Sequence, residues 1–128
     1  MKKVSVLFLC LLLCGGVTLA QKKPEAEFKK TEHNFGKIKE EVGEVTTKFE
    51  FTNKGDSPLI IHRVSTSCGC TTPSYTKEPI LPGKNGSISV SYSTVHRPGG
   101  FNKSIRAYTN VPDTVYVLTI KGSVIPKK

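Results

Sequence analysis

Between residues 45 and 52 the chain alternates strictly. Val45, Thr47, Phe49 and Phe51 fall on one side, and Thr46, Lys48, Glu50 and Thr52 on the other. A period of two, with β-branched and aromatic residues on one face, predicts a half-buried strand. Ile88, Val90 and Tyr92 repeat the pattern against Ser87, Ser89, Ser91 and Ser93. Phe101, Ile105 and Ala107 share a face of a further strand, interrupted by Lys103, and Val115 to Val124 forms the longest β run. Leu59 to Val64 also reads as a strand, although its apolar residues fall on both faces. Phe28 and Phe35 mark an opening pair of short strands with the polar stretch Lys29 to Asn34 between them. After the first twenty residues no helical period appears.

Turn formers separate these runs. They are Asn34-Phe35-Gly36, Val42-Gly43-Glu44, Asn53 to Pro58, Pro82 to Gly86, Pro98-Gly99-Gly100 and Asn110 to Asp113. Pro73, Pro79 and Pro82 exclude a central strand through the region they occupy, because proline lacks the donor that a ladder needs. About seven evenly spaced strands predict an all-β chain, a single immunoglobulin-like β-sandwich over residues 28–125. Its expected core is Phe49, Phe51, Ile60, Ile88, Val90, Tyr92, Ile105, Leu118 and Ile120. Tryptophan is absent and the two late cysteines lie too close in sequence to bridge two sheets. An antibody-type domain is therefore not expected.

The first twenty residues change the reading of charge and cysteine content. Lys2 and Lys3 precede the apolar run Val4 to Leu13, and Thr18-Leu19-Ala20 offers a small-x-small cleavage site. The run falls short of the roughly 20 residues a membrane span requires. We therefore expect residues 1–20 to be a signal peptide cut between Ala20 and Gln21, residues 21–27 a linker, and the product exported to the periplasm or secreted, with no transmembrane segment after leader removal. The alternative is a lipoprotein anchored at Cys14, although Leu13 stands where such sites carry a small residue. The whole chain has 19 basic and 10 acidic residues, a net charge of +9. The lysines are scattered over turns and strand faces, not gathered into a stripe interleaved with exposed aromatics, so no nucleic-acid partner is expected. Dispersed lysine keeps sheet edges soluble.

Cys10 and Cys14 lie in the leader, which leaves Cys68 and Cys70 to the mature chain. Three readings stay open for this pair. The cysteines are small packing groups, or a disulfide over a ring too short to restrict the unfolded chain much and so redox-labile, or a pair of thiolates for a soft ion such as Cu(I). Zinc would need further ligands, for which His62 and His96 are the candidates, neither in a ligand-spaced motif. Arg63 and Lys77 are the cations nearest the pair in sequence and could favour thiolate. His33, His62 and His96 otherwise read as ordinary sheet or surface residues, His62 in register with Ile60 and Val64. No nucleophile elbow occurs, Asp56 and Asp113 lie in turns, and Glu40 and Glu41 read as solvated. No enzyme and no cofactor is expected. Asn85-Gly86-Ser87 and Asn102-Lys103-Ser104 are sequons read as coincidental, and Asp113-Thr114-Val115 is similar to an O-glycosylation acceptor of some bacteria, at Thr114.

The segment Phe49-Glu50-Phe51-Thr52-Asn53-Lys54-Gly55-Asp56-Ser57-Pro58-Leu59-Ile60-Ile61 resembles the ASH, major-sperm-protein and PapD-like branch of immunoglobulin-type sandwiches. Ser67-Cys68-Gly69-Cys70-Thr71, followed by Pro73, Pro79-Ile80 and Pro82-Gly83, resembles a narrower family of exported bacterial domains of unknown function with a Cys-Gly-Cys-Thr signature. The resemblance runs from Phe28 to Val124 and implies a fold and an address but no activity. The function expected on these grounds is a non-catalytic binding or structural module of the bacterial cell envelope, holding a protein or glycan through sheet edges or loops. The alternative is thiol-redox or Cu(I) handling through the Cys68-Gly69-Cys70 turn.

Overall fold

The computed structural model describes residues 22–128; the leader, its cleavage site and Cys14 lie outside the described residues. Eight strands form two four-stranded sheets packed face to face. They are β1 (Ala26–Phe28), β2 (Glu32–Lys39), β3 (Glu44–Asn53), β4 (Ile61–Thr66), β5 (Thr71–Tyr75), β6 (Asn85–Ser93), β7 (Gly99–Thr109) and β8 (Val115–Ile125). One sheet has the order β1-β3-β6-β5, the other β2-β8-β7-β4. All neighbours are antiparallel except β2 and β8, which run parallel. A short 3-10 turn, Glu40–Val42, joins β2 to β3. No helix among the described residues is long and apolar enough to cross a membrane.

The alternating strands pack as their pattern dictates. Phe49, Phe51, Ile88 and Val90 from one sheet meet Ile105, Leu118 and Ile120 from the other, all buried. Tyr92 of β6 and Phe101 of β7 stack between the sheets with ring centroids 3.8 Å apart. At roughly 1.5–3 kcal/mol for each large apolar side chain, this burial offsets the ordering of the strands.

Two local expectations are corrected, and two others hold with a detail added. Asn34-Phe35-Gly36 is a bulge within β2 and does not reverse the chain. The register against β8 shifts between Asn34 and Lys37, Gly36 has φ 71°, and its N–H donates to Asn34 Oδ1 at 2.8 Å. As the prolines require, no central strand runs through the stretch after the cysteines; β5 lies there with Pro73 on the outermost strand of its sheet, where a missing donor is tolerated. Ile60 is half-buried; Leu59 and Ile61 take the core positions instead. Leu59 is drawn in by paired backbone bonds with Ile80, both 2.8 Å. A register irregularity between Ile61 and Arg63 then turns His62 and Arg63 outward together, so His62 is exposed, as the surface reading expected. Ahead of β1, Lys54 N–H donates to Glu25 O at 2.8 Å and Asp56 N–H to Lys23 O at 2.9 Å, which ties that stretch to the β3–β4 turn.

Candidate functional site

Three connections cross between the sheets at one end of the sandwich: the turn 40–43, the cysteine turn 67–70 and the loop 94–98. Their flanking strand ends are paired or bonded to one another, Glu44 with Ser93, Thr71 with Tyr92, Lys39 with Ile125 and Gly99 with Val124. The last residues of the chain leave β8 at the same rim.

Within the cysteine turn the two sulfurs are bonded, with Cα atoms 5.2 Å apart. Cys70 belongs to the core, 3% exposed, and its carbonyl accepts from Ser93 N–H at 2.9 Å. Cys68 is half-buried and packs against the core. The Thr66 hydroxyl spans the turn, 3.1 Å from Cys68 O and 3.3 Å from Thr71 O, and Thr71 N–H donates to Cys68 O at 3.2 Å. Cys70 is therefore inside the rim, and Cys68 is the more open of the two.

The cations near the pair in sequence are engaged elsewhere. Arg63 lies over the Tyr108 ring at 4.0 Å and Lys77 over the Tyr75 ring at 3.5 Å. His62 and His96 do not join the cysteines in a cluster, and among the described residues no group of three His, Cys, Asp or Glu could hold a metal ion. His33 sits on β2. Its Nδ1 is 2.7 Å from Lys30 Nζ, and burial together with that lysine holds the ring toward its neutral form. Thr114 Oγ1 donates to Pro112 O at 2.9 Å within the β7–β8 turn.

Glu40 organises the rim. Its Oε2 accepts from His96 N–H at 3.0 Å and its Oε1 from Lys127 N–H at 3.1 Å. Its backbone carbonyl accepts from the hydroxyl of fully buried Thr94 at 2.9 Å. His96 is thereby held at φ 58°, a left-handed conformation that side-chain-bearing residues seldom adopt without support. One residue thus fixes the 3-10 turn, the loop 94–98 and the chain end. Those three segments carry Val42, Val95 and Ile125, which are 55%, 47% and 44% exposed. They make an apolar collar beside the cysteine turn.

The two backbone N–H donors, His96 first, and the nearby His96 and Lys127 hold the Glu40 carboxyl below its ordinary pKa. A depressed folded-state pKa contributes stability that is present above the unfolded value and lost as pH falls through the folded one. Acidification into and below the ordinary carboxylate range should therefore loosen the rim before it unfolds the sandwich. In Glu40→Gln this acid-dependent component should vanish. Amide exchange at His96 and Lys127, followed against pH in both proteins, checks it. A wild-type and Glu40→Gln pair with the same pH dependence would contradict this role.

Sequence reasoning missed this hub, having read Glu40 as solvated. No pattern announces it, since its partners lie 54 to 87 residues away.

The chain belongs to a family of proteins of unknown function (DUF1573), whose family model matches residues 26–124. No curated protein matches it. Among solved structures it is similar to a protein of unknown function from Porphyromonas gingivalis W83, with 19% identity and a TM-score of 0.70 over 85% of this chain and 50% of that one. It is also similar to part of the Vibrio cholerae VesB protease, with 15% identity, a TM-score of 0.58, and 77% of this chain against 31% of that one. A Bacteroides ovatus GH5 xyloglucanase shares the fold at 9% identity and a TM-score of 0.51, over 79% of this chain and 19% of that one. The chain thus spans half the length of the Porphyromonas protein and less of the two hydrolases. At these identities the likeness shows the fold, and the hydrolytic activities belong to those proteins.

Proposed function

We propose that this protein is a non-catalytic binding module of the bacterial cell envelope, exported by a leader cut after Ala20, which docks a partner protein on the rim ordered by Glu40. Its likeness to the ASH, major-sperm-protein and PapD-like sandwiches fits such a role, although fold analogy alone assigns none. One observation carries the reading. Among the described residues, three of the six large apolar side chains that stand exposed are gathered at one end of the fold, on three segments that a single residue, Glu40, holds in place. Exposed apolar groups on a pre-ordered, polar-rimmed surface are what a protein interface uses, because ordering costs have been met before the partner arrives.

A second reading keeps the Cys68–Cys70 pair as the working group, in thiol–disulfide exchange or Cu(I) handling. It is favoured by the position of the half-buried Cys68 sulfur in the same rim. One co-purification from envelope extract separates the two. We expect Val42→Ser/Val95→Ser to lose the partner, reducing its recovery at least about tenfold for an interaction loss of about 1.4 kcal/mol. Cys68→Ala/Cys70→Ala should retain it; alanine keeps the buried position apolar, where serine would bury a hydroxyl. The opposite pattern, loss with the thiols and retention without the valines, would establish the second reading and sink the first.

A further inference from the structure

The outer face of the β2-β8-β7-β4 sheet carries a groove of about 630 Å³ where β2, β8 and β7 lie side by side. Its walls include Asn34, Lys37, Asn102, Lys121 and Ser123, and Gly100 lies among them. The groove exists for two backbone reasons. The bulge at Gly36 breaks the β2–β8 register, and Gly100, opposite Ser123, contributes no side chain. A methyl group on Gly100 would meet nothing nearer than the Gly122 carbonyl oxygen at 3.9 Å, so the space above it is open.

The polar side chains of the lining are largely unspent. Asn34 Oδ1 accepts from Gly36 N–H, which leaves its NH₂ group free. Among the described residues the side chains of Asn102, Ser123 and Lys37 have no hydrogen-bond or ion-pair partner in the protein, whereas Lys121 is paired with Glu32. Two amides, a hydroxyl and one free ammonium on a shallow floor match a ligand with many hydroxyls and a negative charge. A protein partner would want an apolar centre, yet Phe101, the one large apolar residue of the lining, is 8% exposed. Single-stranded nucleic acid would want exposed aromatic faces for its bases, and the groove offers none.

We propose that this groove is a saccharide-binding site for a sugar bearing a carboxylate, with Lys37 meeting the carboxylate and Asn34, Asn102 and Ser123 the hydroxyls. It borders the rim, since Gly100 and Ser123 pair next to Gly99 and Val124, but it uses none of the collar residues, so its success or failure does not depend on the docking reading.

The probes are an oligogalacturonate, the neutral maltohexaose and poly-L-glutamate, each titrated into the mature protein at 0.15 M salt. Binding should favour the oligogalacturonate. Gly100→Leu plugs the groove without changing charge and should weaken binding at least about tenfold, a loss of about 1.4 kcal/mol. Gly100→Ala, a smaller plug, gives the same test with a smaller loss if the leucine variant folds poorly. Lys37→Gln should weaken oligogalacturonate binding severalfold, while Lys54→Gln, in the distant β3–β4 turn, should leave it unchanged. Three results would overturn the proposal. They are equal loss in Lys37→Gln and Lys54→Gln, full binding by both Gly100 variants, and poly-L-glutamate bound at least as tightly as the saccharide. Binding of none of the probes would overturn it as well.

Discussion

Asn53→Ala should lower the stability of the domain by about 3 kcal/mol, the largest effect expected of any single polar side chain here. Asn53 ends β3 and is completely buried. Its Nδ2 donates to Ser57 O and to Ile80 O, both at 2.8 Å, and its Oδ1 accepts from Gly55 N–H at 2.9 Å and Glu25 N–H at 3.3 Å. One carboxamide therefore joins the segment before β1, the β3–β4 turn and the approach to β6. Truncation strands the Ser57 carbonyl and the Gly55 and Glu25 N–H groups, and it leaves the Ile80 carbonyl with only the bond from Leu59 N–H. Each such group costs about 1–3 kcal/mol when water cannot replace the partner. For a domain of this size the loss corresponds to a fall in Tm of roughly 12 °C or more. Asn53→Asp should fare worse than alanine, since it sets a carboxylate oxygen against two carbonyls. Thermal unfolding of the two variants checks both statements. A fall of only a few degrees for alanine, or an aspartate variant more stable than the alanine one, would contradict them.

Gly86→Val should cost about 2–3 kcal/mol by overpacking. Gly86 lies in β6 opposite Phe51, and a Cβ there would stand 2.5 Å from Phe51 Cζ and 2.9 Å from Ile80 Cδ1. Neither neighbour can swing away, because Phe51 is 1% and Ile80 3% exposed, and Phe51 also packs on Phe28 with ring centroids 5.0 Å apart. The penalty comes from space, since Gly86 has no positive φ for valine to resist. Phe51→Leu in the same chain should return part of the loss. A double-mutant cycle by urea unfolding measures that coupling, and strictly additive effects would contradict the packing explanation.

How far the sequence could be read follows from where its information is local. β3 and β6 were legible because alternation over eight or so residues fixes which face is buried, and the fold class followed from them. Leu59 to Val64 offered apolar residues on both faces, so parity alone pointed to Ile60. The irregularity at Ile61 to Arg63, a property of pairing with β7, moved burial to Leu59 and Ile61. Phe35-Gly36 carried a turn signature that a bulge shares, and only pairing with β8 distinguishes the two. Pro73 excluded a central strand, as expected, but not an edge strand.

The site was harder still. Cys68-Gly69-Cys70 stood out as a motif, whereas the features that shape the rim and the groove are contacts between distant residues. Asn53 looked like an ordinary turn former, and its burial becomes visible only when Ile80 and Glu25 are brought to it. Glu40 looked like one of two adjacent exposed acids, although its neighbour Glu41 is exposed and Glu40 itself fixes the chain end. Hydrophobic period reports which way a side chain faces; it carries nothing about which loop ends meet.

The docking role of the rim is tested most directly by photo-crosslinking in envelope extract. Val95→p-benzoylphenylalanine places the probe in the collar, and Val117→p-benzoylphenylalanine places it on the outer face of β8. The two native side chains are matched in exposure, 47% and 48%, so accessibility does not separate them. The account predicts a discrete protein adduct from position 95 that disappears when Val42→Ser is added, and none from position 117. An adduct from position 117 with none from position 95 would contradict it.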